Sequence, residues 1–233
     1  MIIVSNEKLI SRNKKIGNYS GILSIVVLGI GMYVSFKFQD MIGYSLIALI
    51  VGFTLSQVGI FYSNRFARSP RPDEELNAAL KGLDDQYALY HYQSPVNHLL
   101  VGPAGIWTLY PFPQTGKIAY DEKKGRWKKK GGNLYLRFFG QDNIGRPDKE
   151  IHREQTRLTA ALSKIPDFEA PEIRSALVFT DEKAIVEADN APRPTLHARQ
   201  LKKIIRKESK GVRTIPINTV KTIQDYLGLE SNT

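Results

Sequence analysis

Four histidines, a run of acids at Asp73, Glu74 and Glu75, and the Glu-x-Lys triplet at Glu122, Lys123 and Lys124 are side chains equipped for acid–base or metal chemistry. Cysteine is absent, which excludes disulfides, thiolate metal sites and a cysteine nucleophile. His91, His98, His152 and His197 show no metal-ligand spacing with one another. A strand histidine such as His98 is expected to pack or bond locally. No P-loop, G-x-G-x-x-G, serine elbow or H-E-x-x-H occurs. The Glu-x-Lys triplet follows Asp121 and precedes Gly125 in a charge-rich stretch, and it reads as a solvated turn.

Charge is the second resource. The chain carries a net +10, which favours contact with phosphate, whether in nucleic acid or in anionic lipid headgroups. Residues 117–137 hold eight basic and two acidic side chains, among them Lys123, Lys124, Arg126, Lys128, Lys129 and Lys130, with Tyr120, Trp127 and Tyr135 interleaved. Residues 193–213 hold eight basic and one acidic, including Lys202, Lys203, Arg206 and Lys207. Basic charge interleaved with rings is the footprint of a nucleic-acid surface. A domain tethered beneath an anionic leaflet would carry the same charge. Both clusters are therefore candidates for nucleic-acid or lipid contact.

The elements that must hold these groups fall into two parts. Residues 20–36 and 41–62 are apolar and free of charge, each near the ~20 residues that span a bilayer as helix. Only Lys37, Phe38, Gln39 and Asp40 separate them, so they predict a transmembrane hairpin. No small-x-small cleavage site follows the first stretch, which argues against a cleaved signal. Lys8, Arg12, Lys14 and Lys15 precede the pair and Arg65, Arg68 and Arg71 follow it. Positive charge stays inside, so both termini are expected to be cytoplasmic at the inner (plasma) membrane. Glycines at 29, 31, 52 and 59 would allow close helix approach. The expected division is a basic tail over 1–19, the hairpin over 20–62, a linker over 63–72 and one soluble domain over 73–229.

In the soluble part, a helix is expected from Asp73, with Leu76, Leu80 and Leu83 on its buried side. Residues 87–92, 96–101 and 106–110 are short aromatic and β-branched runs broken by Gly and Pro, the pattern of an antiparallel meander. Residues 117–120 and 134–139 are expected to extend it. From Pro147, Ile151, Leu158, Leu162 and Ile165 mark a helix with Gln155 in its stripe. Residues 176–180 (ALVFT) read as a buried strand and 184–186 as a short one. Residues 196–207 read as a basic helix, and 220–227 as a last helix. The sum is a mixed-sheet α/β domain flanked by helices.

Residues 96–116, VNHLLVGPAGIWTLYPFPQTG, resemble the core of the nuclease-related domain (NERD) family. There an Asp-His-apolar-apolar-Val-Gly-Pro-x-Gly run leads into a strand ending in Glu-x-Lys. The preceding EELNAALKGL and QYALYHY, and the later Trp127, Gln155 and ALVFT, extend the resemblance over residues 73–205. The family is similar to the PD-(D/E)xK nuclease fold, which implies a central mixed sheet between helices and a Mg²⁺ held by carboxylates. In this chain Asn97 stands at the Asp position, Tyr110 at the Glu position and Phe112 at the Lys position. Pro111 and Pro113 flank Phe112 and disfavour regular strand there. The family's opening acid falls on Asp73, Glu74 or Glu75, and Gln155 is kept by position. The resemblance therefore implies a degenerate metal site with no cofactor: a membrane-anchored domain that binds a protein partner or nucleic acid without cutting. Two alternatives are an active Mg²⁺-dependent nuclease using Glu74 or Glu75, and a structural subunit of a membrane complex.

Overall fold

The computed structural model describes residues 1–131, 144–211 and 214–230. The expected strand at 134–139 lies outside the described residues. The chain divides into two compact units, Asn6–Arg71 and the combination of Met1–Ser5 with Pro72–Thr233.

The first unit is a helical hairpin. Helix α1 (Glu7–Lys37) starts at Asn6, whose side-chain oxygen accepts from the Leu9 amide at 2.9 Å. A short 3₁₀ turn (Gln39–Met41) leads to α2 (Ile42–Tyr62), which runs on into a π-helical turn at Ser63–Ala67. Both helices are long and apolar enough to cross a membrane. At 1.5 Å per residue the 21 residues of α2 extend about 31 Å, close to the thickness of a hydrocarbon core. The 31 residues of α1 extend about 46 Å, and the surplus carries the basic residues before Tyr19.

Small residues let the two helices touch. A Cβ on Gly52 would come within 2.6 Å of the Leu28 side chain, and one on Gly59 within 2.9 Å of the Gly21 backbone. Gly31 and Gly17 are equally tight, against Ala48 and Ser63. Gly29, expected in the seam, faces open space, because it stands two residues from Gly31 and so on another side of the helix.

The second unit is built on a six-stranded sheet in the order β1-β2-β3-β4-β7-β9. Its strands are β1 (Ile2–Ser5), β2 (Ala88–His91), β3 (His98–Gly102), β4 (Gly105–Phe112), β7 (Ile173–Phe179) and β9 (Thr195–His197). Strands β2, β3 and β4 form the expected antiparallel meander, while β1, β7 and β9 join in parallel. A smaller sheet, β6-β5-β8, holds β5 (Gly116–Asp121), β6 (Arg126–Lys130) and β8 (Ala184–Glu187). The strand at 117–120 thus belongs to a separate sheet and does not extend the meander.

Helices cover both faces of the large sheet. On one, Leu89, Leu100, Leu109 and Val178 meet α3 (Pro72–Leu80) and α5 (Ala198–Glu208) through Leu76, Leu80, Leu201 and Ile205. On the other, Leu99, Val101 and Ile106 meet α4 (Pro147–Leu162) and α6 (Ile217–Glu230) through Leu158, Leu162, Ile223 and Leu227. Alternate residues of each strand point to opposite faces, so every central strand needs apolar residues at nearly every position.

Three expectations change. Residues 1–19 are not a tail: Ile2–Ser5 form an edge strand and Glu7 opens a helix. Leu196 belongs to β9, and its helix starts at Ala198 with the His197 ring accepting from the Arg199 amide at 3.2 Å. Strand β4 runs through Pro111 to Phe112. The proline is tolerated because Phe112 turns its carbonyl to β7, accepting from the Thr180 amide at 3.0 Å. Pro111 therefore points its missing N–H to the β3 side, beyond the last β3–β4 pair at Leu99 and Thr108.

The same parity rule makes a prediction for β1. The Ile2 amide donates to the Tyr87 carbonyl at 2.8 Å, so the Val4 amide also faces β2 and that of Ile3 faces outward. Val4→Pro should lower the melting temperature of the full chain markedly. Ile3→Pro should leave it within a degree or two, and equal losses would contradict this register.

Candidate functional site

Asn97, Tyr110 and Phe112 gather at the end of the large sheet where β4 finishes and β3 begins. Tyr110 and Phe112 are two residues apart on β4 and share the face covered by α4. Phe112 stacks on Phe179 of β7 with ring centroids 5.4 Å apart. The Tyr110 hydroxyl is buried near Thr108 and Glu154 but makes no well-formed hydrogen bond among the described residues. Burial, and after it the negative charge of Glu154, holds its pKa far above the ordinary phenol value, so it stays a neutral phenol.

Asn97 donates from Nδ2 to Oε1 of Glu154 at 2.7 Å. Glu154 is buried on α4. The sequence reading missed it, although the signal was there: Glu154 follows Ile151 by three residues and precedes Leu158 by four, in the middle of the apolar stripe. Its neighbour Gln155 has a different task. Gln155 Nε2 donates to the Ile173 carbonyl and to Ser175 Oγ, both at 2.9 Å, and ties α4 to the start of β7.

Glu74 and Glu75 are not brought to this place. They lie on α3, which packs on the opposite face of the sheet. Glu75 senses Asp181, Glu182 and Glu74 instead, with His197 opposing them. Burial first and the Asp181 charge second raise its pKa above the usual carboxylate value. Also on that face, His91 and His98 face each other across β2 and β3 with Nδ1 atoms 2.8 Å apart, and His91 Nε2 lies 3.0 Å from Asn77 Oδ1. With the Asn77 oxygen accepting, His91 donates through Nε2 and receives the proton of His98 Nδ1. The contact is local, between neighbouring strands and the helix above them, which suits a strand histidine.

A divalent metal does not suit the groups that do converge. Mg²⁺ is bound by hard anionic oxygens with retained water. Here one carboxylate, one amide and one neutral phenol meet a phenylalanine ring. Among the described residues no three of His, Asp or Glu come together in a way that could hold a metal.

The basic clusters are partly spent on structure. Trp127, expected on a binding surface, is buried: β6 alternates, and its odd residues turn to the core. Its Nε1 donates to Thr195 Oγ1 at 3.3 Å and its ring meets Tyr120 edge-on at 4.9 Å. Lys129 shares that inward side, and Arg126, Lys128 and Lys130 point outward beside Lys117. Lys128 pairs with Asp121 and Lys117 with Glu187, each at 2.6 Å. Glu122–Lys124 is the expected turn, a 3₁₀ turn with Asp121 Oδ1 accepting from the Lys124 amide, and it leaves Lys123 and Lys124 in solvent. On α5, Lys202 and Arg206 donate to the carbonyls of Lys81 and Gly82 just after α3, while Lys203 and Lys207 stay exposed.

Compared with known proteins, the chain matches no family model, no curated protein and no solved structure.

Two outcomes follow from this geometry. Tyr110→Phe should change stability by less than about 1 kcal/mol, because the buried hydroxyl makes no well-formed hydrogen bond, whereas Asn97→Ala should cost about 1–3 kcal/mol by stripping buried Glu154 of a donor. Chemical denaturation of the full chain in detergent would measure both. For Glu75 a raised folded-state pKa means that the native state binds the proton more tightly than the unfolded chain. Its contribution is therefore lost as pH rises through that folded-state value. Glu75→Gln should melt higher than the parent at neutral pH, and the gap should close near pH 4. A pH-independent gap would contradict the assignment.

Proposed function

We propose that this chain is a membrane-anchored, NERD-like domain of the inner membrane that binds a partner without cutting phosphodiesters. The observation that carries the reading is the pairing of Asn97 with Glu154 beside the neutral Tyr110 phenol. Where the resembled family places two carboxylates and a lysine, this chain places an amide and two rings, and the nearby carboxylate is engaged by the amide. The fold class supports the resemblance at a coarse level, as a mixed sheet between helices.

The anchor is the hairpin. Strand β1 precedes it and α3 follows it, and both belong to the same folded unit. If α1 and α2 cross the bilayer, two crossings return the chain to the side it left, and both ends of the hairpin lie together there. Lys8, Arg12, Lys14 and Lys15 on one flank and Arg65, Arg68 and Arg71 on the other favour the cytoplasmic side. There the domain would meet a protein partner or nucleic acid, the latter through the outward row Arg126, Lys128 and Lys130 with Lys123 and Lys124, and through Lys203 and Lys207.

The test uses the full chain in detergent or nanodiscs, with Mg²⁺ or Mn²⁺ and labelled DNA and RNA. The expected outcome is no cleavage above background. If nucleic acid is the partner, affinity should fall steeply with salt, and Arg126→Gln with Lys130→Gln should flatten that slope by about one unit per lost phosphate contact. Metal-dependent cleavage abolished by Glu154→Ala or Glu75→Ala would refute the reading. Salt-insensitive or absent nucleic-acid binding would leave a protein partner.

A further inference from the structure

The outward face of α1 orders its residues by type along the helix axis. Lys8, Arg12, Lys15 and Tyr19 follow at intervals of four, three and four residues, so they share one face of the helix. The buried residues of α1 are Ile10, Asn13, Gly17, Ser24 and Gly31, and among them Gly17 and Gly31 close on Ser63 and Ala48 across the hairpin seam. At about 100° per residue the basic stripe lies opposite that seam. All four of its side chains are exposed. Beyond Tyr19 the same face continues as Ile22, Val26, Ile30 and Tyr33, each at least half or nearly half exposed.

Read along the helix axis, this face offers three cations over about 10 Å, then a phenol, then an apolar strip of about 16 Å. A phospholipid presents the complementary sequence: anionic phosphate, polar glycerol, acyl chain. We propose that the outward face of α1 is a binding site for an anionic diacyl phospholipid, with Arg12 and Lys15 on the phosphate, Tyr19 at the glycerol level and an acyl chain along Val26 and Ile30. A nucleic-acid backbone would match the cations but not the apolar strip that continues from them. The inference rests on the hairpin being membrane-spanning. Attraction of a basic side chain to an anionic surface is worth about fivefold in affinity per residue close to that surface. The site should therefore select anionic over zwitterionic lipid by several-fold.

The experiment reconstitutes the full chain in phosphatidylcholine vesicles that contain either spin-labelled phosphatidylglycerol or spin-labelled phosphatidylcholine. The motionally restricted fraction of each label is then compared by electron paramagnetic resonance. The expected result is a several-fold preference for phosphatidylglycerol. It should fall toward unity in Arg12→Gln/Lys15→Gln and persist in Lys128→Gln/Lys130→Gln, whose charges lie in the other unit. Equal restriction of the two labels, or a preference untouched by the Arg12/Lys15 pair of changes, would overturn the site. Resistance of the chain to alkaline extraction is scored on the same vesicles. A chain that is extracted defeats the spanning reading and this inference together, whereas a retained chain without selectivity defeats this inference alone.

Discussion

Four backbone pairings, from Ile2 with Ala88 to Ser5 with His91, make the segment before the hairpin part of the sheet that follows it. Much of the architecture depends on that closure. The hairpin is an insertion between the first two strands of one α/β unit, so the sheet gains its edge strand only after residues on either side of the hairpin have met. The loop closed by that pairing contains the hairpin and α3, and its entropic cost rises only slowly with length. Packing within the hairpin, through Gly17, Gly31, Gly52 and Gly59, shortens the loop that has to be closed.

Within the sheet the governing fact is that neighbouring residues point to opposite faces. Asn97 and His98 are adjacent, yet Asn97 meets Glu154 of α4 while His98 meets His91 beneath α3. The polar end of the sheet therefore contains two separate arrangements and no single pool of ligands. Each is closed by its own hydrogen bonds, as buried polar groups require. The Tyr110 hydroxyl is the exception, buried near Glu154 without a well-formed hydrogen bond of its own.

The positive charge has a divided role for a related reason. A lysine or arginine that caps a carbonyl or pairs with an acid is largely committed, and α5 and the small sheet commit several in this way. The net charge of the chain thus overstates the charge on offer at any one surface of the α/β unit. On α1 the arrangement differs: Lys8, Arg12 and Lys15 fall in line on the side turned away from the helix partner.

Local pattern determined a good deal by itself. Two uncharged apolar stretches of spanning length, a β-meander punctuated by Gly and Pro, the α4 stripe and the turn at Glu122 are all short-range consequences of hydrophobic period and turn chemistry, and they are legible without coordinates. What tertiary structure decided was partnership. No local rule makes Ile2–Ser5 a strand, since its partner Ala88–His91 lies beyond the whole hairpin. Nor could spacing tell that Glu154 and not Gln155 would meet Asn97, that Trp127 would be buried against Thr195, or that Pro111 would sit where β3 had already ended. Each of these depends on contacts between residues far apart in the chain, and such contacts are fixed by the closure of the sheet and its two helical layers, not by the residues on either side.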